Sequence, residues 1–173
     1  MDNPQKKALC ETNAKADVKS AKKIEEIREA VDRFISLAQE LGHPVSKADL
    51  AFDSSHLHEQ PVLPKNHCAV YIFLYQGKVL KIGKANAKSG DRYRHQHYRF
   101  DVGSTLAKSL FKDDSEFKSL IGSKENAKSW MLANLVRVNV LINDLERNGK
   151  AISELLEALL HYQFRPRFEG AIR

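Results

Sequence analysis

The sequence predicts an α+β protein, with a small central antiparallel sheet of about three strands, flanking helices and a long helix before them. Three features lead to this prediction: an amphipathic stretch before residue 42, two β-branched and aromatic runs that meet at a glycine turn, and a C-terminal leucine stripe with helical spacing. The chain has 173 residues, of which 42% are apolar, and this suffices for one domain with an ordinary core plus an appendage.

The N-terminal segment predicts one long amphipathic helix over about residues 16–41, ended by Gly42 and Pro44. Residues 1–14 are polar and without a period, so we expect a frayed start. A stripe of this kind packs either on its own chain or on a second copy in a homodimer, and both arrangements fit the pattern. The apolar positions recur every three or four residues and are Ile24, Ile27, Val31, Phe34, Ile35, Ala38 and Leu41.

The next segment, residues 46–66, contains proline and histidine and shows no sustained period, which is typical of a connector. We therefore expect three parts: a tail and amphipathic helix over residues 1–45, a linker over 46–66, and the main domain over 67–173. No internal repeat and no low-complexity tract interrupts this organisation.

Three strands are predicted in the main domain. Residues 69–74 and 79–82 are rich in Val, Ile, Tyr and Phe and are separated by Gln76-Gly77, the pattern of a β-hairpin. Residues 135–142 alternate apolar with polar side chains and predict the third strand.

Helices are predicted between and after these strands. A short basic helix spans about residues 92–98, a second helix runs from a Ser104 cap through Phe111, and a third spans 116–121. The leucine stripe that begins at Ile152 predicts a last helix, which stops before Pro166.

The positive charge is concentrated in one part of the chain. Residues 1–50 hold nine basic and nine acidic residues, whereas residues 76–99 hold seven basic residues and one acidic residue. A local excess of this size indicates a polyanionic partner, and nucleic acid is the expected one.

No apolar run approaches the roughly 20 residues of a membrane span, so we expect no membrane partner. Two cysteines and the lack of a signal-like N-terminal stretch favour the cytoplasm.

Several residues in this order carry a resemblance to a known family. Tyr71 lies on the first strand, "KIGK" over residues 81–84 on the second, Arg92 and His97 or His95 on the basic helix, and Glu157 on the last helix, nine residues before Pro166. The ordered set resembles the GIY-YIG nuclease superfamily over about residues 67–170, with the run "HQHYRFDVGSTLAKSL" similar to a bacterial subgroup. The resemblance implies a metal-dependent endonuclease acting on nucleic acid, DNA above all.

The chemistry of these residues agrees with that implication. Phosphodiester hydrolysis needs a base for water and cations beside the phosphoryl oxygens. Glu157 is the candidate ligand for one Mg²⁺ or Mn²⁺ ion, which keeps most of its waters. Arg92 and Lys84 are candidates to bind phosphate, and Tyr71 is the candidate to orient or deprotonate water, with Lys81 or Lys84 expected to favour its phenolate.

The remaining candidates follow from the resemblance and from charge. The resemblance implies a catalytic His, for which His97 fits the subgroup better than His95. Lys81, Arg94, His95 and Arg99 are expected to form a basic face for nucleic acid.

Two departures from the family pattern leave another function open. Lys81 stands where the family has a second Tyr, and Glu169 stands where Asn is usual. These changes are compatible with an active nuclease or with a catalytically silent module that binds nucleic acid. A protein-interaction unit built on the N-terminal helix is a third alternative.

Overall fold

The computed structural model describes residues 4–42, 45–55, 60–103, 105–112, 116–143 and 148–168, with side chains from residue 18 onward except at Ser55. Residues 169–173, and with them Glu169, lie outside this part. Helix α1 (Pro4–Glu40) is followed by strands β1 (Leu50–Ser55), β2 (His67–Tyr75) and β3 (Lys78–Ala85). Then come helices α2 (Gly90–Arg94), α3 (Leu106–Lys112), α4 (Phe117–Ile121) and α5 (Ala127–Asn134), strand β4 (Val136–Asn143) and helix α6 (Gly149–Phe164).

The four strands form one antiparallel sheet in the order β1-β4-β2-β3. This confirms the predicted α+β class, with four strands instead of three. The hairpin of β2 and β3 turns at Gln76 and Gly77, both with positive φ, as a tight two-residue hairpin turn requires. A register shift beside Phe73 and Leu74 interrupts the ladder between these two strands.

One face of the sheet is covered by α1 and α6. The apolar stripe of α1 is buried from Ile24 to Ala38 against alternate residues of β2 and β4, and Leu156 and Leu160 of α6 join it. Leu41, expected on the same stripe, is 61% exposed because the helix ends at Glu40. The stripe therefore packs within its own chain. The apolar surface from which a homodimer was expected is buried by this packing.

The opposite face is covered by the shorter helices α2 to α5. Tyr71, Phe73 and Leu80 from the hairpin pack there with Tyr93, Leu106 and Met131. Both faces of the central strands are therefore buried, so every side chain of β2 from Cys68 to Leu74 is inaccessible to solvent.

Three elements and one cap differ from the expectations. Helix α1 begins at Pro4 and not near residue 16, so residues 4–14 are helical where a frayed start was expected. Strand β1 lies within the segment predicted as a connector, and α5 was not predicted. The first turn of α3 is capped by Thr105, whose Oγ1 accepts the Lys108 N–H at 3.2 Å and donates to the Arg99 carbonyl at 2.7 Å. Ser104, the predicted cap, lies outside the described residues. No helix among the described residues has the length and apolar character needed to span a membrane.

The chain leaving α6 returns to the free edge of β3. Arg165 ends the helix in a left-handed conformation, with φ of 44°, and buried Pro166 follows it. The backbone N–H groups of Arg167 and Phe168 then donate to the carbonyls of Val79 and Leu80 at 3.1 and 2.8 Å. The predicted end of α6 before Pro166 is thus where the segment turns to cover an edge strand.

Candidate active site

The Tyr71 side chain crosses the backbone of its neighbouring strand. Tyr71 is paired with Gly83 of β3, and a Cβ built on Gly83 would lie 2.6 Å from the Tyr71 hydroxyl oxygen. Since no Cβ tolerates such a contact, glycine is required here by space and not by φ. The hydroxyl thereby reaches the end of β3, where it donates a long hydrogen bond to the Lys84 carbonyl at 3.4 Å.

Glu157 approaches the same end of β3 from the other face of the sheet. The Lys84 Nζ donates to Glu157 Oε2 at 2.7 Å and lies 4.0 Å from Glu154 Oε1. The Lys84 and Glu157 side chains are partly buried, at 35% and 20% exposed, so solvent reaches the pair. Predicted as a phosphate ligand, Lys84 here neutralises the carboxylate that was predicted to hold a metal.

Arg92 completes the group around the Tyr71 hydroxyl. Burial raises the pKa of Tyr71, and the Arg92 guanidinium opposes this rise through its charge and through hydrogen bonding, while Arg92 itself is exposed. The negative charge of Glu157 acts on the same phenol in the opposite direction. Three predicted site residues from β2, α2 and α6 are thus brought together at the sheet edge.

The Tyr71 phenol nevertheless holds its proton, contrary to the expectation that nearby cations favour the phenolate. Its pKa is raised above the usual value of 10 because burial outweighs the positive charges. The cations that oppose this rise are Arg92 and Arg137, and not the expected Lys81 or Lys84. The residue is completely buried, so the hydroxyl becomes accessible only when a neighbouring side chain moves.

His97 lies behind Tyr71 and not at the surface. Its ring packs on those of Tyr71 and Phe73, with centroids 4.6 and 5.4 Å away, and the residue is 3% exposed. Neither ring nitrogen has a hydrogen-bond partner within the part of the chain that the structure describes. Burial, followed by the charges of Lys81, Arg137 and Arg92, lowers the pKa of His97 well below 6.5, so the ring is neutral at pH 7.

Lys81 is also turned inward. It pairs with Phe73 across the hairpin and is only 9% exposed. Burial and the nearby Arg92 charge lower its pKa below the usual 10.5. Lys81 therefore contributes positive charge beneath the site and offers little surface to a nucleic-acid backbone.

The other predicted nucleic-acid contacts lie outside this group. Arg94 is exposed, and its carbonyl accepts a hydrogen bond at 3.0 Å from Gln60 Nε2, which also lies 3.1 Å from His95 Nδ1. Arg99 forms a bidentate ion pair with Asp101, whose pKa it lowers to about 2. Because Asp101 lies just beyond residues 76–99, the count of seven to one overstates the local excess.

Comparisons with protein-family models, with curated proteins and with solved structures find no match for this chain.

Arg137 is the site residue that sequence reasoning missed. It lies on β4 opposite Phe73, is completely buried, and its guanidinium carbon is 4.5 Å from the Tyr93 ring centroid and 5.3 Å from that of Tyr71. In "VRVNV" (residues 136–140) Arg137 and Asn139 alternate with valines, the pattern of a strand with one face exposed to solvent. The number of predicted helices could have indicated their burial. Enough helices are predicted to cover both faces of the sheet, and every position of a central strand is then buried.

The metal site can be tested against the donors present. Among the described residues no group of three or more His, Cys, Asp or Glu side chains could hold a metal ion. A single carboxylate with water completing the shell is compatible with Mg²⁺, and Glu157 is accessible enough to serve. The donor chemistry fits, on the condition that the Lys84 ammonium leaves Glu157 Oε2.

Proposed function

We propose that this chain is a GIY-YIG-type endonuclease that hydrolyses phosphodiester bonds of nucleic acid, with DNA as the substrate, and that Glu157 holds one Mg²⁺ or Mn²⁺ ion. One observation carries the proposal: the Tyr71 hydroxyl, the Arg92 guanidinium and the Lys84–Glu157 pair meet at one end of β3. A basic surface that only binds nucleic acid does not need a carboxylate among its cations. Metal-dependent hydrolysis does need one, because a carboxylate holds the metal ion.

The two cations at the site are placed to respond to a phosphate. The Arg92 guanidinium acts on the buried Tyr71 hydroxyl through its charge and through hydrogen bonding, opposing the rise in the pKa of Tyr71 that burial causes, and the Lys84 ammonium contacts Glu157. Transfer of both side chains onto a phosphate group would uncover the hydroxyl and the carboxylate together. Guanidinium binds phosphate as a fork and ammonium binds it as a point charge, so each cation exchanges one oxygen acceptor for another.

The chemical step then follows from the uncovered groups. A water molecule attacks phosphorus, the bond from phosphorus to the leaving oxygen breaks, and that oxygen takes a proton from solvent. The proton lost by the attacking water passes to the Tyr71 oxygen where this is a phenolate, or to solvent where the neutral hydroxyl only orients the water. Arg92 offsets the charge that builds on the phosphoryl oxygens. A metal ion on Glu157 would add positive charge beside the same oxygens.

A nucleic-acid substrate is supported by the cations that stay exposed near the site. Lys88, Arg92 and Arg94 are exposed and take part in no ion pair within the described residues. Such groups release counterions when they bind a phosphate backbone. A cytoplasmic location is part of the proposal and rests on composition alone.

A second candidate function is a silent module that binds nucleic acid. Lys84 occupies the predicted metal ligand, and burial keeps the Tyr71 phenol protonated. If DNA does not exchange these contacts, the basic surface binds and nothing is cut.

Cleavage by matched variants separates the two candidates. Wild type is incubated with supercoiled and with branched DNA in Mg²⁺, in Mn²⁺ and in EDTA, beside Glu157→Gln and Glu154→Gln. The two glutamates lie one turn apart on α6, and both face Lys84, but only Glu157 makes the short contact. The nuclease proposal expects metal-dependent cleavage that Glu157→Gln abolishes, DNA binding retained, and Glu154→Gln near wild type. Binding without cleavage of any substrate supports the silent module.

A further inference from the structure

Arg137 is a buried cation without a direct carboxylate partner among the described residues. Its Nε donates to Asn139 Oδ1 at 2.9 Å, and Asn139 Nδ2 donates in turn to Asp53 Oδ2 of β1 at 3.3 Å. The Asp53 carboxylate is therefore reached only through the Asn139 amide, and Asp53 is itself exposed. Burial of a guanidinium is costly, so an arrangement that leaves its charge this weakly compensated calls for a reason.

The other end of the Arg137 guanidinium holds the segment Tyr93–Tyr98, which contains His97 and directly follows Arg92. Nη2 donates to the Tyr93 carbonyl at 2.8 Å, and Nη1 donates to the Tyr98 hydroxyl at 3.3 Å. Tyr93 is in α2, and Tyr98 ends the short 3-10 turn Gln96–Tyr98. One side chain of the sheet thus fixes both ends of this segment.

The same guanidinium also faces aromatic rings. It lies 5.3 Å from the ring centroids of both Tyr71 and Phe73. At these distances a cation is attracted to the ring, and it stabilises negative charge that develops on the attached oxygen. The Tyr71 hydroxyl is the oxygen in question.

We propose that Arg137 is a positioning residue of this site: it fixes the segment Tyr93–Tyr98 against the sheet, and its permanent charge behind the Tyr71 ring favours negative charge on the Tyr71 hydroxyl oxygen. The catalytic consequence rests on the proposed nuclease function, whereas the effect on Tyr71 does not. The direction of the Arg137 contribution to the pKa of Tyr71, which is downward, agrees with this geometry. The titratable and charged groups packed around this ring and its contacts are Arg92 and Tyr93 of α2, His97 and Tyr98 of the 3-10 turn, Lys81 and Lys84 of β3, Arg137 of β4, Glu157 of α6 and, through Asn139, Asp53 of β1.

The test measures the titration of residue 71 directly. A fluorinated tyrosine at position 71 of the full chain titrates nearer neutral pH, and its ¹⁹F chemical shift reports the phenol without any substrate. Arg137→Gln should raise the titration midpoint by about one pH unit or more, the usual effect of removing one close opposite charge. Arg137→Lys should raise it by less than half as much, because the charge stays. Arg33→Gln, an equal charge change on the exposed face of α1, should leave it unchanged.

A midpoint that is the same in Arg137→Gln as in wild type, or equal shifts in the Gln and Lys variants, would overturn the charge role. Should Arg137→Gln fail to fold, Arg137→Met takes its place as the variant that removes the charge, and an unchanged midpoint or a shift equal to that of Arg137→Lys overturns the role in the same way. Cleavage is scored separately. Loss of activity in Arg137→Gln with rescue in Arg137→Lys supports a catalytic consequence, and a wild type that never cuts refutes the nuclease while leaving the titration result to stand.

Discussion

Lys84 Nζ donates to Glu157 Oε2 at 2.7 Å, and this contact joins the edge strand β3 to helix α6. The two residues are 73 positions apart in the chain. A metal ion that takes Glu157 Oε2 must displace the Lys84 ammonium, so the metal ion and the ammonium compete for the same oxygen.

Removal of Lys84 should therefore tighten metal binding in the absence of DNA. Lys84→Met should increase Mn²⁺ affinity about fivefold, the equivalent of a partly exposed ion pair worth about 1 kcal/mol, as measured by electron paramagnetic resonance. Cleavage of DNA should fall, because the phosphate loses a ligand. Lys88→Met, an exposed change nearby, is the control. Equal Mn²⁺ affinity in Lys84→Met and wild type would contradict the competition.

The pH dependence of cleavage should distinguish a phenolate base from an orienting hydroxyl. Since the pKa of Tyr71 is raised, its phenolate fraction at pH 7 is small and grows about tenfold for each pH unit up to that pKa. A phenolate base predicts that log kcat rises with a slope near one between about pH 7 and 9. Tyr71→Phe should lower kcat by about 10²-fold or more and remove the slope. A flat wild-type profile assigns Tyr71 to orientation of water.

Gly83 should be essential to the site and not to the fold as a whole. A Cβ at Gly83 would lie 2.6 Å from the Tyr71 hydroxyl oxygen, so Gly83→Ala must displace this side chain. We expect cleavage to fall by about 10²-fold, as for loss of the Tyr71 group itself, with circular dichroism unchanged. Gly90→Ala is the matched control, because a Cβ there meets no atom within 4 Å. Wild-type activity in Gly83→Ala would remove Tyr71 from the mechanism.

Acid should destabilise the protein through His97. The pKa of His97 is lowered in the folded state, whereas the unfolded chain takes up a proton below about pH 6.5. The contribution of neutral His97 to the free energy of unfolding is therefore fully present above about pH 6.5. It is lost as the pH drops below this value, by up to about 1.4 kcal/mol per pH unit. His97→Phe should flatten this fall in urea unfolding at pH 7, 6 and 5. His161→Gln on the half-exposed face of α6 serves as the control, and a slope unchanged in His97→Phe would place the acid sensitivity elsewhere.

The salt dependence of DNA binding should report which cations contact phosphate. Arg94 is exposed and in no ion pair among the described residues, whereas Arg99 is held by Asp101. Arg94→Gln should lower the slope of log Kd against log salt concentration by about one, and Arg99→Gln by less. Both slopes are measured by fluorescence anisotropy at salt concentrations from about 50 to about 300 mM. Equal effects would show that Arg99 leaves Asp101 to bind DNA.

Local sequence patterns determined most of the secondary-structure elements of this protein. The stripe of α1, the Gln76-Gly77 hairpin, the alternation of β4 and the leucines of α6 are periodic features, and periodicity is set by the geometry of a single element. Tyr71, Arg92 and Glu157 became candidates because their order along the chain resembles the GIY-YIG pattern, and not through periodicity. A segment whose own pattern is weak escapes this reasoning, as the six residues of β1 did, because its pairing with β4 supplies the order that its sequence lacks.

The tertiary structure decided what the charged residues do. Lys81 and Arg137 are buried and Lys84 is neutralised, since the two helical layers and α6 close over positions that an isolated strand would expose. The protonation of Tyr71 and His97 follows from that burial, and desolvation depends on every atom packed around a group, not on its neighbours in sequence. The sequence alone therefore determined which elements form and which residue types are available, while the packing of the layers determined their charge and contacts.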